Sequence, residues 1–192
     1  MQTAGRGQPG SKTRFCQQHL TTFNVASQLH IVSKSRPFRH LAHIASFREQ
    51  PVVFFTVVMH ARRPLLATDF AHQLLHSLWE RSGDLNGWFV GDYLLMPDHV
   101  HFFARPAPEA DAMRRWVKMW KSVSARKLMQ AAHLTAPVWQ EEYFDRFLRS
   151  DESYEEKWWY VRNNPVRAGL VTDADAWPYR GRVFDLDVKK TG

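Results

Sequence analysis

The amino-acid sequence predicts an α+β domain, a ferredoxin-like antiparallel sheet with packed helices, preceded by a basic N-terminal extension. Three observations carry that expectation. A short run at 52–59 (VVFFTVVM) is rich in β-branched and aromatic residues. Two further strand-like segments meet at so tight a junction that they must fold back on each other. Helical periodicities fall between and after these strands, in the order strand, helix, hairpin, helix.

Residues 1–48 stand apart from this pattern. Arg6, Lys12, Arg14, Lys34, Arg36, Arg39 and Arg48 are basic, no acid precedes Glu49, and Gly5, Gly7, Pro9 and Gly10 open the chain without periodicity. That composition predicts a flexible basic extension. An organellar transit peptide shares its acid-poor, Arg- and Ser-containing character, whereas a secretory signal would need an apolar stretch and a cleavage site.

From Pro51 the elements follow in order. The run at 52–59 reads as a buried strand, and the basic turn His60-Ala61-Arg62-Arg63-Pro64 follows it. Thr68 or Asp69 can cap a helix reaching about Arg81, with Phe70, Leu74, Leu75 and Leu78 on its inner face. Ser82-Gly83-Asp84 and Asn86-Gly87 are turn chemistry. Strands at 88–96 and 100–104, joined at Pro97-Asp98, form a hairpin. A second helix covers about 111–131, a loop surrounds Pro137, a third helix covers 151 to about 164, and a further strand is expected after Pro165. The domain is therefore placed at 49–182, with 183–192 as a tail.

Composition limits the function. The net charge is +7 with a pI near 9.8, which suits a polyanionic partner, nucleic acid or an acidic membrane surface. The run at 52–59 is the longest apolar one and falls far short of the roughly 18 residues that cross a bilayer. With one cysteine, Cys16, an internal disulfide is excluded and a cysteine metal cage has no support.

Three patterns carry possible chemistry. In His99-Val100-His101 the side chains of a strand alternate, so both imidazoles share one face while Val100 and Phe102 face the core. Such a pair can hold one metal ion, although a chain with 10 histidines can also place two on a half-exposed strand by chance. In the third helix Asp151, Glu152, Glu155 and Glu156 suit the positive end of the helix dipole. Tyr154, Trp158 and Val161 form its core stripe. Tyr160 lies roughly 120° off that stripe, with Lys157 one turn before it and Asn164 one turn after. That side is either a functional face or an exposed tyrosine among solvated residues, and Pro165 disfavours helical backbone at Asn164. The second helix sets Trp116, Trp120 and Val123 inward. Its Arg114, Lys118 and Lys121, with Arg115 beside them, make a ridge that could track phosphates. Trp159 and Tyr143 could stack on unpaired bases or simply pack.

Taken together, these segments resemble a known family. Leu95-Met96-Pro97-Asp98-His99-Val100-His101-Phe102 is similar to the histidine motif of the REP-associated tyrosine transposases, IS200-like members of the HUH single-strand nuclease superfamily. Trp139-Gln140, Tyr143-Phe144-Asp145-Arg146 and the stretch from Trp159 through Asn164-Pro165-Val166-Arg167-Ala168-Gly169-Leu170 to Val171 resemble that family's tyrosine helix and the turn after it. The likeness spans about residues 50–180.

The resemblance implies that His99 and His101 ligate a divalent metal, Mg²⁺ or Mn²⁺, with Asn164 as a third ligand through its side-chain oxygen. It implies Tyr160 as the nucleophile, forming a 5′-phosphotyrosine intermediate on single-stranded DNA. Repetitive palindromic hairpins are the implied partner, and a cytoplasmic, nucleoid-associated location follows. A monomer and a homodimer fit equally. Lys157, Arg114, Arg115, Lys118 and Lys121 are the candidate DNA contacts. Two alternatives stand beside this reading. One is a non-catalytic ferredoxin-like nucleic-acid-binding module with an incidental HxH pair; the other is a zinc hydrolase built on that pair.

Overall fold

The computed structural model describes residues 51–148 and 154–186. The expected basic extension at 1–48 lies outside the described residues, as do 187–192 of the expected tail. Five strands form one antiparallel sheet in the order β4-β1-β3-β2-β5, where β1 is Val53–Val58, β2 Trp88–Leu95, β3 His99–Pro106, β4 Phe144–Phe147 and β5 Arg180–Arg182. The first four occupy the ferredoxin-like order, and β5 is added beyond β2.

The near-continuous apolar character of β1 has a direct cause: both faces of the sheet are covered. On one face Val53, Phe55 and Val57 of β1 join Val100, Phe102 and Ala104 of β3 under helices α1 (Asp69–Glu80) and α3 (Met113–Ala132). Trp88 and Trp116 stack there with centroids 4.5 Å apart. Trp79, Trp116 and Trp120 are fully enclosed, and cutting any one to alanine would cost about 3–5 kcal/mol. On the other face Val52, Phe54, Leu94, Met96 and Phe103 lie under Tyr154 and Val161 of helix α4 (Tyr154–Arg162), with Trp177 and Leu186 alongside. Alternation along β3 sends His99 and His101 to this second face.

A bulge aims the second face at α4. The β2–β3 register passes from Val90↔Ala104 to Tyr93↔Phe102, one extra residue on β2. The irregularity lets Asp92 meet the helix while Tyr93 returns to the first core. Tyr154 Oη donates to buried Asp92 Oδ2 at 2.7 Å, and Arg182 of β5 grips the same carboxylate with bonds of 2.9 and 2.8 Å. Gly91 makes the approach possible, since a Cβ there would meet Leu186 at 2.6 Å and Tyr154 Oη at 3.1 Å.

Several expectations need correction. The fourth ferredoxin-like strand is β4, in the stretch between Pro137 and the third helix where only a loop is expected; the strand after Pro165 is β5, at the opposite sheet edge. The segment 82–86 is a short helix, α2 (Ser82–Asn86), closed by Gly87 at φ 71°. Thr68 caps α1, accepting from Ala71 N at 3.2 Å, but the inner face uses Ala71 and Trp79 while Phe70 is exposed. On α3, Val117, Ser124 and Leu128 lie deeper than Val123. The third helix stops at Arg162 rather than Asn164, and a separate turn, α5 (Asn164–Arg167), starts with Pro165 in its first turn. Packing continues past 182: Phe184 N bonds Val90 O at 2.9 Å and Leu186 is buried.

Candidate active site

The histidine strand and its turn are fixed first. Met96 N bonds His99 O at 2.8 Å across the Pro97-Asp98 turn, while Pro97 O and Asp98 O accept from Leu66 N and Met59 N at 2.8 Å each. The turn is thereby pinned to the chain on both sides of the basic loop after β1. In that loop Ala61 (φ 54°) and Arg62 (φ 52°) are both left-handed, a conformation costing about 1–2 kcal/mol per non-glycine residue. This backbone delivers Arg62 Nη1 to Asp98 Oδ2 at 2.9 Å.

The two imidazoles meet edge to face with centroids 4.7 Å apart, and their Nε2 atoms lie 3.1 Å from each other. Each Nδ1 has a partner behind it. His99 Nδ1 contacts Asp98 Oδ1 at 2.6 Å, and His101 Nδ1 contacts Thr56 Oγ1 at 2.8 Å. Thr56 is the residue directly opposite His101 in the β1–β3 register. The single polar residue in the apolar run is therefore the one that orients a histidine.

Electrostatics favour the neutral, lone-pair form at the inner histidine. Burial pushes the His101 pKa well below its ordinary value, reinforced by His99, Lys157 and Arg167. For Asp98 burial opposes the charge, but the hydrogen bond and charge of His99, then those of Arg62, outweigh it and hold the carboxyl at about 2. With Asp98 ionised behind it, His99 is oriented as carboxylate-backed metal ligands are.

Helix α4 supplies the other half. Lys157 Nζ sits 5.0 Å from the Phe54 ring, which is stacked on His101 at 5.5 Å. The same ammonium is 5.9 Å from the Tyr160 ring. Tyr160 is 56% exposed, so its phenol is open to a large substrate. The Arg167 guanidinium lies 4.0 Å from the centre of that ring and also donates from Nη2 to Asn164 Oδ1. Lys157, Tyr160, Asn164 and Arg167 thus form one cluster, joined to His101 through Phe54.

The donor set suits a divalent ion. Two nitrogens each about 2.1 Å from one ion and at right angles are about 3.0 Å apart, close to the separation between these two Nε2 atoms. No third His, Cys, Asp or Glu joins them among the described residues, which gives the zinc-hydrolase alternative no further ligand there, and Asn164 Oδ1 accepts from Arg167 Nη2.

The expected basic ridge does not line this site. Arg114, Arg115 and Lys118 are exposed on α3, across the sheet from the histidine pair. Arg115 pairs with Asp111 at 3.5 Å. Lys121 is half-buried, with Nζ donating to Gln140 O at 2.6 Å and Glu141 O at 2.8 Å; burial lowers its pKa to about 8. It ties a loop rather than forming part of an open phosphate track. Tyr143 is buried against Phe55, with centroids 6.1 Å apart, whereas Trp159 is 64% exposed beside the site.

Sequence reasoning missed Thr56, Arg62, Asp98 and Arg167 as members of the site. For Thr56 the signal was present, a lone hydroxyl in an apolar strand. For Asp98 it was adjacency to His99. For Arg167 it was a place in the family-like stretch after Asn164, and Arg62 had none beyond charge.

Comparison with known proteins shows the family. Residues 52–164 match the family described as transposase IS200 like; the match takes in more than half of the chain, from β1 to Asn164, and the protein belongs to that family. A REP-associated tyrosine transposase of Escherichia coli (strain K12) is 27% identical over 142 residues, covering 71% of this chain and 78% of that protein. A solved structure of a REP-associated tyrosine transposase bound to a REP hairpin has the same fold, with a TM-score of 0.57 at 21% identity, covering 76% of this chain and 81% of that one.

Proposed function

We propose that this transposase cleaves and rejoins single-stranded DNA at a repetitive palindromic hairpin, with Tyr160 as nucleophile and a divalent ion, Mg²⁺ or Mn²⁺, held by His99, His101 and Asn164. The observation that carries this reading is the continuous chain of contact from His101 through Phe54 and Lys157 to an exposed Tyr160. The ion would neutralise a nonbridging phosphate oxygen. Thr56 and Asp98 keep both Nε2 atoms directed at it. Lys157 and Arg167 attract the phosphate. Tyr160 Oη, having released its proton to solvent, forms a bond to phosphorus while the bond from phosphorus to the 3′ oxygen breaks. The departing oxygen takes up a proton as a 3′ hydroxyl. A phosphodiester is retained as 5′-phosphotyrosine, so a second 3′ hydroxyl can rejoin the strand without ATP. The hairpin partner is supported by the likeness to a protein solved with a REP hairpin.

The binding-module alternative loses its platform. An aromatic sheet surface for bases would have to be open, but Phe54 and Phe103 are buried beneath α4. The test is covalent trapping. Labelled single-stranded hairpin DNA with Mn²⁺ should give a denaturation-resistant protein–DNA adduct that Tyr160→Phe abolishes. An adduct surviving that substitution would place the nucleophile elsewhere, and none in the unaltered protein would remove the reading.

A further inference from the structure

Arg167 makes two contacts that pull in one direction. Its guanidinium donates to Asn164 Oδ1, the atom that the proposed function gives to the metal, and it covers the ring of the proposed nucleophile at 4.0 Å. The side chain belongs to an exposed residue, and no carboxylate pairs with it among the described residues. A guanidinium without a carboxylate, resting on an amide oxygen and an aromatic face, has an incomplete set of partners. Its planar fork matches two phosphate oxygens better than one amide oxygen, and a charged acceptor makes the stronger bonds. The phosphate that Tyr160 attacks must come within about 3–3.5 Å of its Oη, which brings it to the edge of the ring that Arg167 covers.

We infer that Arg167 is a positioning residue that withholds Asn164 Oδ1 from the ion until a DNA phosphate draws the guanidinium away, so that metal and substrate bind cooperatively. The inference rests on the proposed function and deepens it. Before DNA arrives, the third donor is engaged and a cation stands near the histidine pair; both weaken ion binding. After the phosphate takes the fork, the amide oxygen is released and the local positive charge is offset. By linkage, the ion then strengthens DNA binding by the same factor.

A double-mutant cycle on the DNA-free full chain, read by calorimetric titration with Mn²⁺ alone, separates the two contributions. Arg167→Ala should tighten Mn²⁺ binding about tenfold, the scale of one charge-assisted hydrogen bond. In an Asn164→Ala background the same substitution should give only about a twofold to threefold gain, the share due to removing a nearby charge. Arg167→Lys, which keeps the charge, should fall below Arg167→Ala. Equal gains in the two backgrounds, or no gain at all, would overturn the inference while leaving the proposed function standing. Absence of any Mn²⁺ binding that depends on His99 would defeat both.

Discussion

Thr56→Val offers a sharp test of how the histidine pair is held. Valine keeps the β-branched shape that suits the strand and removes only the hydroxyl 2.8 Å from His101 Nδ1. Two consequences follow. The half-buried imidazole loses its one partner on that nitrogen, which costs about 1–3 kcal/mol. The ring also becomes free to carry its proton on Nε2, the atom that faces His99 at 3.1 Å, and a protonated nitrogen cannot ligate. Removal of such orienting partners lowers metal affinity by about 10–100-fold; because His99 keeps Asp98, we expect the lower end, near tenfold. Titration of the DNA-free protein with Mn²⁺ measures it, and ¹⁵N shifts of the imidazoles report the tautomer directly. Thr56→Ser should restore most of the affinity. If Thr56→Val binds Mn²⁺ as the unaltered protein does, with no change of tautomer, the hydroxyl does not orient His101.

Three other outcomes are expected. His99→Ala should eliminate the covalent adduct while hairpin binding in a gel-shift assay without divalent ions falls less than threefold, since phosphate contacts dominate affinity; a parallel collapse of binding would make the histidine structural. Tyr154→Phe should lower the free energy of urea unfolding by about 1.5–3 kcal/mol, because the phenol donates to a buried, charged Asp92, and it should slow cleavage by loosening the root of α4. Lys121, with its pKa lowered by burial to about 8 from 10.5, binds fewer protons folded than unfolded across that window, so its contribution makes stability rise from about pH 8 to 10.5. Lys121→Gln should flatten that rise in unfolding midpoints at pH 8 and pH 10, and an identical slope in both proteins would contradict the assignment.

Much of the fold was legible because its elements are long and strongly patterned. β1, the hairpin and the three main helices lie where apolar runs and periodicities put them. The exceptions have physical reasons. β4 has four residues, Phe-Asp-Arg-Phe, at a sheet edge where only one neighbour constrains it, so neither length nor alternation distinguishes it from a loop. The break at Asn163 was foreshadowed by Pro165, yet sequence spacing could not say that Asn164 would begin a new turn and bond Arg167. Within the site, strand alternation placed His99 and His101 on one face, and their role as ligands came from the family resemblance. Arg62 was not legible, because it reaches Asp98 through two left-handed residues that no propensity favours. The ridge on α3 shows what spacing leaves open: it says which residues share a face but not which side of the sheet the helix covers.

One carboxylate joins the two ends of the catalytic half of this domain. Asp92 holds the first residue of the helix that bears Tyr160 and, through Arg182, the last strand of the sheet. Trimming the chain just before Arg180 would therefore leave buried Asp92 with Tyr154 but without Arg182, and would remove Leu186 from the face on which α4 packs, loosening the seat of the helix that bears Tyr160. A shortened protein of that kind would keep the histidine strand in the middle of its sheet while the opposite edge, and the helix seated on it, lost their common anchor.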